Sequence, residues 1–158
     1  MKKLIAIFVL MIVSASFVNA QMSQDDVSMI QSMYGMNKRD LVKKYMQLTP
    51  KQDSVFWPIY DAYENERKSI GEQRIRGIED YAKNYATLTD AKADELVKKS
   101  FELEASMTKL QLKYYEKLKK PISPLKAAQF IQLENFLNNA VRAKIQSEIP
   151  FIGEMERK

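Results

Sequence analysis

Three methionines, Met29, Met33 and Met36, stand at i, i+4 and i+7, with Met22 and Met46 nearby. That spacing lines thioethers along one face of a helix, and a row of soft sulfur ligands suits Cu(I) or Ag(I). The same residues also read as an adaptable apolar face that accommodates varied partners. With no His or Cys in the chain to strengthen a thioether site, the second reading is preferred, and no metal or cofactor is expected. Arg67 and Arg74 lie seven residues apart beside Tyr63 and Ile70. Arginine next to aromatics grips unfolded chains through cation–π contacts and carboxylate pairing. Equally, such stems shield a seam between helices. On the first reading, Met29, Met33, Met36, Tyr63, Arg67, Ile70 and Arg74 form a candidate face for holding another polypeptide.

The absence of His and Cys removes the usual general base, the usual nucleophile pair and the commonest soft-metal ligands. Gly71 and Gly77 belong to no glycine cluster after a strand, so no phosphate loop is present. No enzymatic activity is expected.

The elements that must carry these residues are helical throughout. Val27, Ile30, Met33, Leu41 and Tyr45 have helical spacing over 24–46, interrupted near Gly35-Met36-Asn37. Phe56, Ile59, Tyr63, Ile70, Ile78, Tyr81 and Tyr85 form a stripe of three- and four-residue steps from Pro50 to about Ala86. Leu96, Leu103, Met107, Leu110, Tyr114 and Leu118 repeat it from about Asp90 to Lys119, widened by Val97 and Phe101. Phe130, Leu133, Leu137, Val141 and Ile145 do so from Pro124 to about Glu148. No segment alternates with the period of a strand. Short connections at 87–89 and 120–123 predict antiparallel neighbours. Glu–base pairs four residues apart, at Glu64/Lys68, Glu72/Arg76, Glu79/Lys83, Glu95/Lys99 and Glu116/Lys120, are expected to mark wet faces.

The second pattern starts firmly. Thr49 is placed to cap, Gln52 three residues later reaches back to its backbone, and Pro50 sits at the first helical position: a capping box, with Leu48 free to pack inward. Ile122-Ser123-Pro124 has cap and proline but lacks the Gln. Pro121 and Pro150 are read as closing helical patterns. Pro58 cannot donate to the carbonyl of Ser54, so a bend is expected there, flanked by Phe56, Trp57 and Tyr60. Those aromatics are read mainly as core sealing the kink, and alternatively as part of a client surface.

Lys2 and Lys3, an apolar run and Val18-Asn19-Ala20 over residues 1–20 have the layout of a signal peptide cleaved after Ala20. The run from Leu4 to Val13 is far shorter than the ~20 residues a bilayer span needs, so export to the periplasm without membrane insertion is expected. Residues 21–158 fit one domain. Loss of the leader lowers the formal charge from +5 to +3, with 23 basic against 20 acidic residues. Bases and acids are interspersed, which argues against a nucleic-acid partner.

LTPKQ at 48–52, followed by a long charged amphipathic helix and a degenerate copy, ISPLKAAQF, at 122–130, resembles the LTxxQ-motif family of small periplasmic helical proteins, the Spy/CpxP-like proteins. The resemblance implies an all-α chain of about four helices, with long antiparallel hairpins and a kinked long helix, paired into a thin, curved homodimer that holds partly unfolded proteins without ATP. The alternatives it leaves open are a regulatory adaptor of an envelope stress sensor kinase and a Met-based Cu(I)/Ag(I) sensor.

Overall fold

A computed structural model describes residues 33–152. Among the described residues, after a helical end at 33–34, four α-helices follow one another: α1 (Lys38–Met46), α2 (Pro50–Asn84), α3 (Asp90–Ile122) and α4 (Pro124–Glu148), with a short 3-10 turn at Tyr85–Thr87. No strand occurs among the described residues, so the chain is all-α as its periodicity requires. The expected interruption before α1 is present: Gly35 takes φ +68° and Asn37 caps the helix, its side chain accepting from the N–H of Asp40 at 3.0 Å.

The start of α2 follows from its capping box. Thr49 Oγ1 accepts from the N–H of Gln52, and Gln52 Oε1 accepts from the N–H of Thr49 at 3.1 Å. Thr89 and Ser123 cap α3 and α4 by the same route, accepting from the N–H groups of Lys92 and Lys126. Helices α2 and α3 hold 35 and 33 residues, so each is about 50 Å long. They form one antiparallel hairpin; α4 returns along α3, and α1 lies across α4.

The core sits at the end of the hairpin where the helix starts and stops converge. Phe130 of α4 is its hub, meeting Phe56, Tyr60 and Tyr63 of α2 edge-on at centroid separations of 5.4, 6.0 and 5.3 Å. Val42 and Met46 of α1 and Tyr114, Leu118 and Ile122 of α3 close around it. In α2 every fully buried residue falls between Phe56 and Arg67. The distal half of the hairpin is therefore only partly covered.

At Pro58, where a bend is expected, α2 continues as one helix. Ser54 and Pro58 both lie on the exposed face, where water solvates the carbonyl that proline leaves without a donor. α3 continues past Pro121 to Ile122. Glu64 does not mark a wet face: it is buried and pairs with Lys38 and Arg67 rather than Lys68. Glu95 and Glu116 pair three residues away, with Lys92 and Lys119. Val97 and Phe101 do not widen the core face of α3; they are exposed.

Candidate functional site

The most charged interior feature is a cluster in which three helices meet. Lys38 Nζ, from the first turn of α1, donates to Glu64 Oε1 of α2 at 2.7 Å and to Glu134 Oε2 of α4 at 2.8 Å. Tyr63 donates its hydroxyl to the same Glu134 oxygen at 2.8 Å, and Arg67 clasps both oxygens of Glu64 at 2.9 and 3.1 Å. Arg67 is 2% exposed and Glu134 0%. Burial opposes the charge of Glu64, yet Lys38 and Arg67 outweigh it and hold the carboxyl below its usual range. Burial and the neighbouring carboxylates push the phenols of Tyr60 and Tyr63 well above theirs. Glu134 Oε1 and, one turn on, Asn138 Nδ2 are buried without a hydrogen-bond partner. With two acids, two bases and no exposed member, the cluster fastens α1 to α2 and α4.

This placement corrects the candidate binding face. Tyr63 and Arg67 are interior, because their polar ends find buried partners on α4 and on α2 itself. Ile70 is half-buried against the core, Met33 is exposed, Met36 is partly so, and Met29 lies outside the described residues. The six described residues do not share a surface. The aromatic group divides as well. Phe56 and Tyr60 are core, whereas Trp57 is half-buried, donating from its indole N–H to Asp53 at 2.7 Å under the guanidinium of Arg39 at 4.2 Å.

The motif residues lie together. Thr49, Pro50 and Gln52 open α2 beside Ile122, Ser123 and Pro124, where α3 passes into α4, and half-buried Leu48 packs on the core.

Arg74 belongs to a different feature, an open cleft of about 340 Å³ between the distal halves of α2 and α3 and the end of α4. Ile78, Leu88, Leu96, Val97, Leu103 and Ile145 give it an apolar lining, while Arg74, Lys99 and Arg142 stand around it with Glu104, which pairs with Arg142. The volume falls at the low end of ligand-binding clefts, ~300–1,000 Å³. Pro150 ends the helical run, and the segment after α4 crosses this region: Tyr81 donates its hydroxyl to the carbonyl of Pro150 at 2.8 Å, and Tyr85 to that of Phe151 at 3.0 Å. Ile149 and Ile152 line the cleft.

Comparison with protein families, curated proteins and solved structures finds no match. The likeness to the LTxxQ-motif family thus rests on Leu48 to Gln52, the partial copy at Ile122 to Pro124 and the helical layout. Sequence reasoning missed the cleft, although Tyr81, Tyr85, Leu96 and Val97 stood in the apolar patterns of α2 and α3. An excess of apolar positions on helices that no fourth partner covers was its signal. Among the described residues no helix is long and apolar enough to cross a membrane, and no group of three or more His, Cys, Asp or Glu side chains is arranged to hold a metal ion.

Proposed function

We propose that the chain is an exported, ATP-independent holding chaperone or stress-response binding protein of the periplasm, acting as a homodimer on partly unfolded proteins. The observation that carries this reading is apolar surface left uncovered on a rigid rod. Along α3, Val97, Phe101, Ala105, Thr108 and Leu112 follow one another in steps of four, four, three and four, and all are exposed. Phe101 is 67% exposed and Leu112 62%, and the distal cleft adjoins the stripe at Val97. The three large apolar side chains among them, Val97, Phe101 and Leu112, stand exposed along one face, which is the disposition of an interaction surface. The signal-peptide layout of residues 1–20 and the LTPKQ motif support the location, and the long hairpin supports pairing with a second copy.

The test is light scattering from several unrelated aggregating proteins in the presence of equimolar mature chain. Suppression of scattering is expected, and Phe101→Ser with Leu112→Ser should reduce it at unchanged helicity. Indifference of all clients, or high-affinity binding of one folded partner alone, would overturn the reading in favour of an adaptor. Molar mass by light scattering checks the dimer.

A further inference from the structure

We propose that the distal cleft is a receptor for an extended apolar peptide, and that the chain's own Ile149–Ile152 segment occupies it at rest as a stand-in which such a peptide displaces. The inference rests on the holding role above and specifies where and how holding occurs.

Four observations converge. The hydroxyls of Tyr81, in the last turn of α2, and Tyr85, in the 3-10 turn that follows, donate to the carbonyls of successive residues, Pro150 and Phe151. Bonds to backbone carbonyls read the extended main chain and ignore side-chain identity, as a site for varied sequences requires. Ile149 leaves α4 with φ −101° and ψ 131°, the extended conformation of an unfolded strand. Ile149 and Ile152 line the cleft together with Ile78, Leu96 and Leu103; Ile149 is half-buried there, while Ile152 keeps 65% of its surface exposed. Two aliphatic side chains leave the cleft incompletely filled, and a Cβ added at Gly77 on its α2 wall would meet no atom within 4 Å. The space that remains suits bulkier apolar side chains than the resident segment supplies.

The charged rim is internally paired, Arg142 with Glu104 and Lys99 with Glu102, so the apolar lining and the two tyrosine hydroxyls define the class of ligand.

The test is fluorescence anisotropy with a fluorescein-labelled hexapeptide of sequence SEIPFI, titrated against the full mature chain. Ile149→Ser with Ile152→Ser releases the resident segment and is expected to tighten peptide binding at least tenfold. On that background Gly77→Leu should fill the cleft and abolish the gain. Tyr81→Phe with Tyr85→Phe, which removes the donors by another route, should do the same, so a folding defect in one variant leaves the other to decide. Circular dichroism verifies helicity in each. No tightening on release, or a gain that survives both cleft variants, would overturn the proposal. Saturable binding of decanoate that excludes no peptide would overturn it too, by assigning the cleft to a small acyl ligand. The titration and the aggregation assay fail separately: peptide binding without client protection sinks the holding role alone, and protection without peptide binding sinks the cleft alone.

Discussion

Gln52 Nε2 donates to the carbonyl of Ile122, the last residue of α3, at 2.9 Å. Its other amide atom completes the capping box on Thr49. Lys126 occupies the matching third position of α4 and donates from Nζ to the carbonyl of Met46, the last residue of α1, at 2.5 Å. Each helix start therefore satisfies the terminal carbonyl of a helix that belongs to the other junction. Gln129 adds a bond to the carbonyl of Tyr45 at 3.0 Å. Terminal carbonyls have no partner within their own helix, so these bonds both satisfy them and pin the two junctions side by side.

Replacing Gln52 separates its two tasks. Glu retains the acceptor that caps Thr49 but has no donor for Ile122. Gln52→Glu is expected to cost ~1 kcal/mol, the net worth of one hydrogen bond. Gln52→Ala should cost more, because part of the cap goes as well. Urea denaturation checks both, and a Glu variant as stable as the parent would show that the tie to Ile122 contributes nothing.

Lys38 pairs with Glu134, which is fully buried. Lys38→Met strips that partner and is expected to cost ~3–5 kcal/mol, the usual penalty for halving a buried pair. Lys38→Met with Glu134→Leu should recover part of the loss, since no carboxylate is then left uncompensated on α4. The double-mutant cycle measures the coupling; simple additivity would mean the cluster does not act as a unit.

Stability should fall at both ends of the pH range. The Glu64 carboxyl titrates lower in the folded state than its unfolded value of ~4.3. Its contribution is present above that pH and disappears as pH falls through the folded value. The phenols of Tyr60 and Tyr63 titrate higher than their unfolded value of ~10. Their contribution is present below pH ~10 and is lost above it, where the unfolded chain releases its protons first. Thermal melts from pH 2 to 12 check this. Glu64→Gln should flatten the acid limb and Tyr63→Phe part of the alkaline one.

Ser123 joins α3 to α4 alone, with φ +92° and ψ 152°. A residue with a Cβ held there costs ~1–3 kcal/mol, whereas losing a serine cap to glycine costs only a few tenths. Ser123→Gly is therefore expected to raise stability by about 1 kcal/mol, read as a higher urea midpoint. An unchanged or lower midpoint would show that the cap bond to Lys126 outweighs the strain.

Helix starts and the core stripe were legible because each rests on local chemistry: Thr49 and Gln52 are three residues apart, and Phe56, Tyr60 and Tyr63 recur at helical steps. The buried cluster was not. Lys38, Glu64 and Glu134 are separated by 26 and 70 residues, and a charged residue in an amphipathic helix reads as solvated until a partner from a distant helix is known. Lys126 misled for a related reason. At the position of Gln52 it looked like a lost motif, because lysine has no acceptor for a capping box, yet the donor half of the task is the half it keeps. Val97 and Phe101 were assigned to the core on spacing alone, which does not tell a second apolar stripe from a wider one.

The two tyrosine bonds to the segment after α4 carry a last implication. A competitor tethered to its own receptor cannot be diluted away, and its effective concentration is set by chain length, in the millimolar range for short connections. Occupancy by an outside strand would then begin at a threshold fixed within the molecule and insensitive to how much of the protein the compartment holds. On the proposed displacement, a held strand would be released as soon as free strands become scarce, with no nucleotide spent.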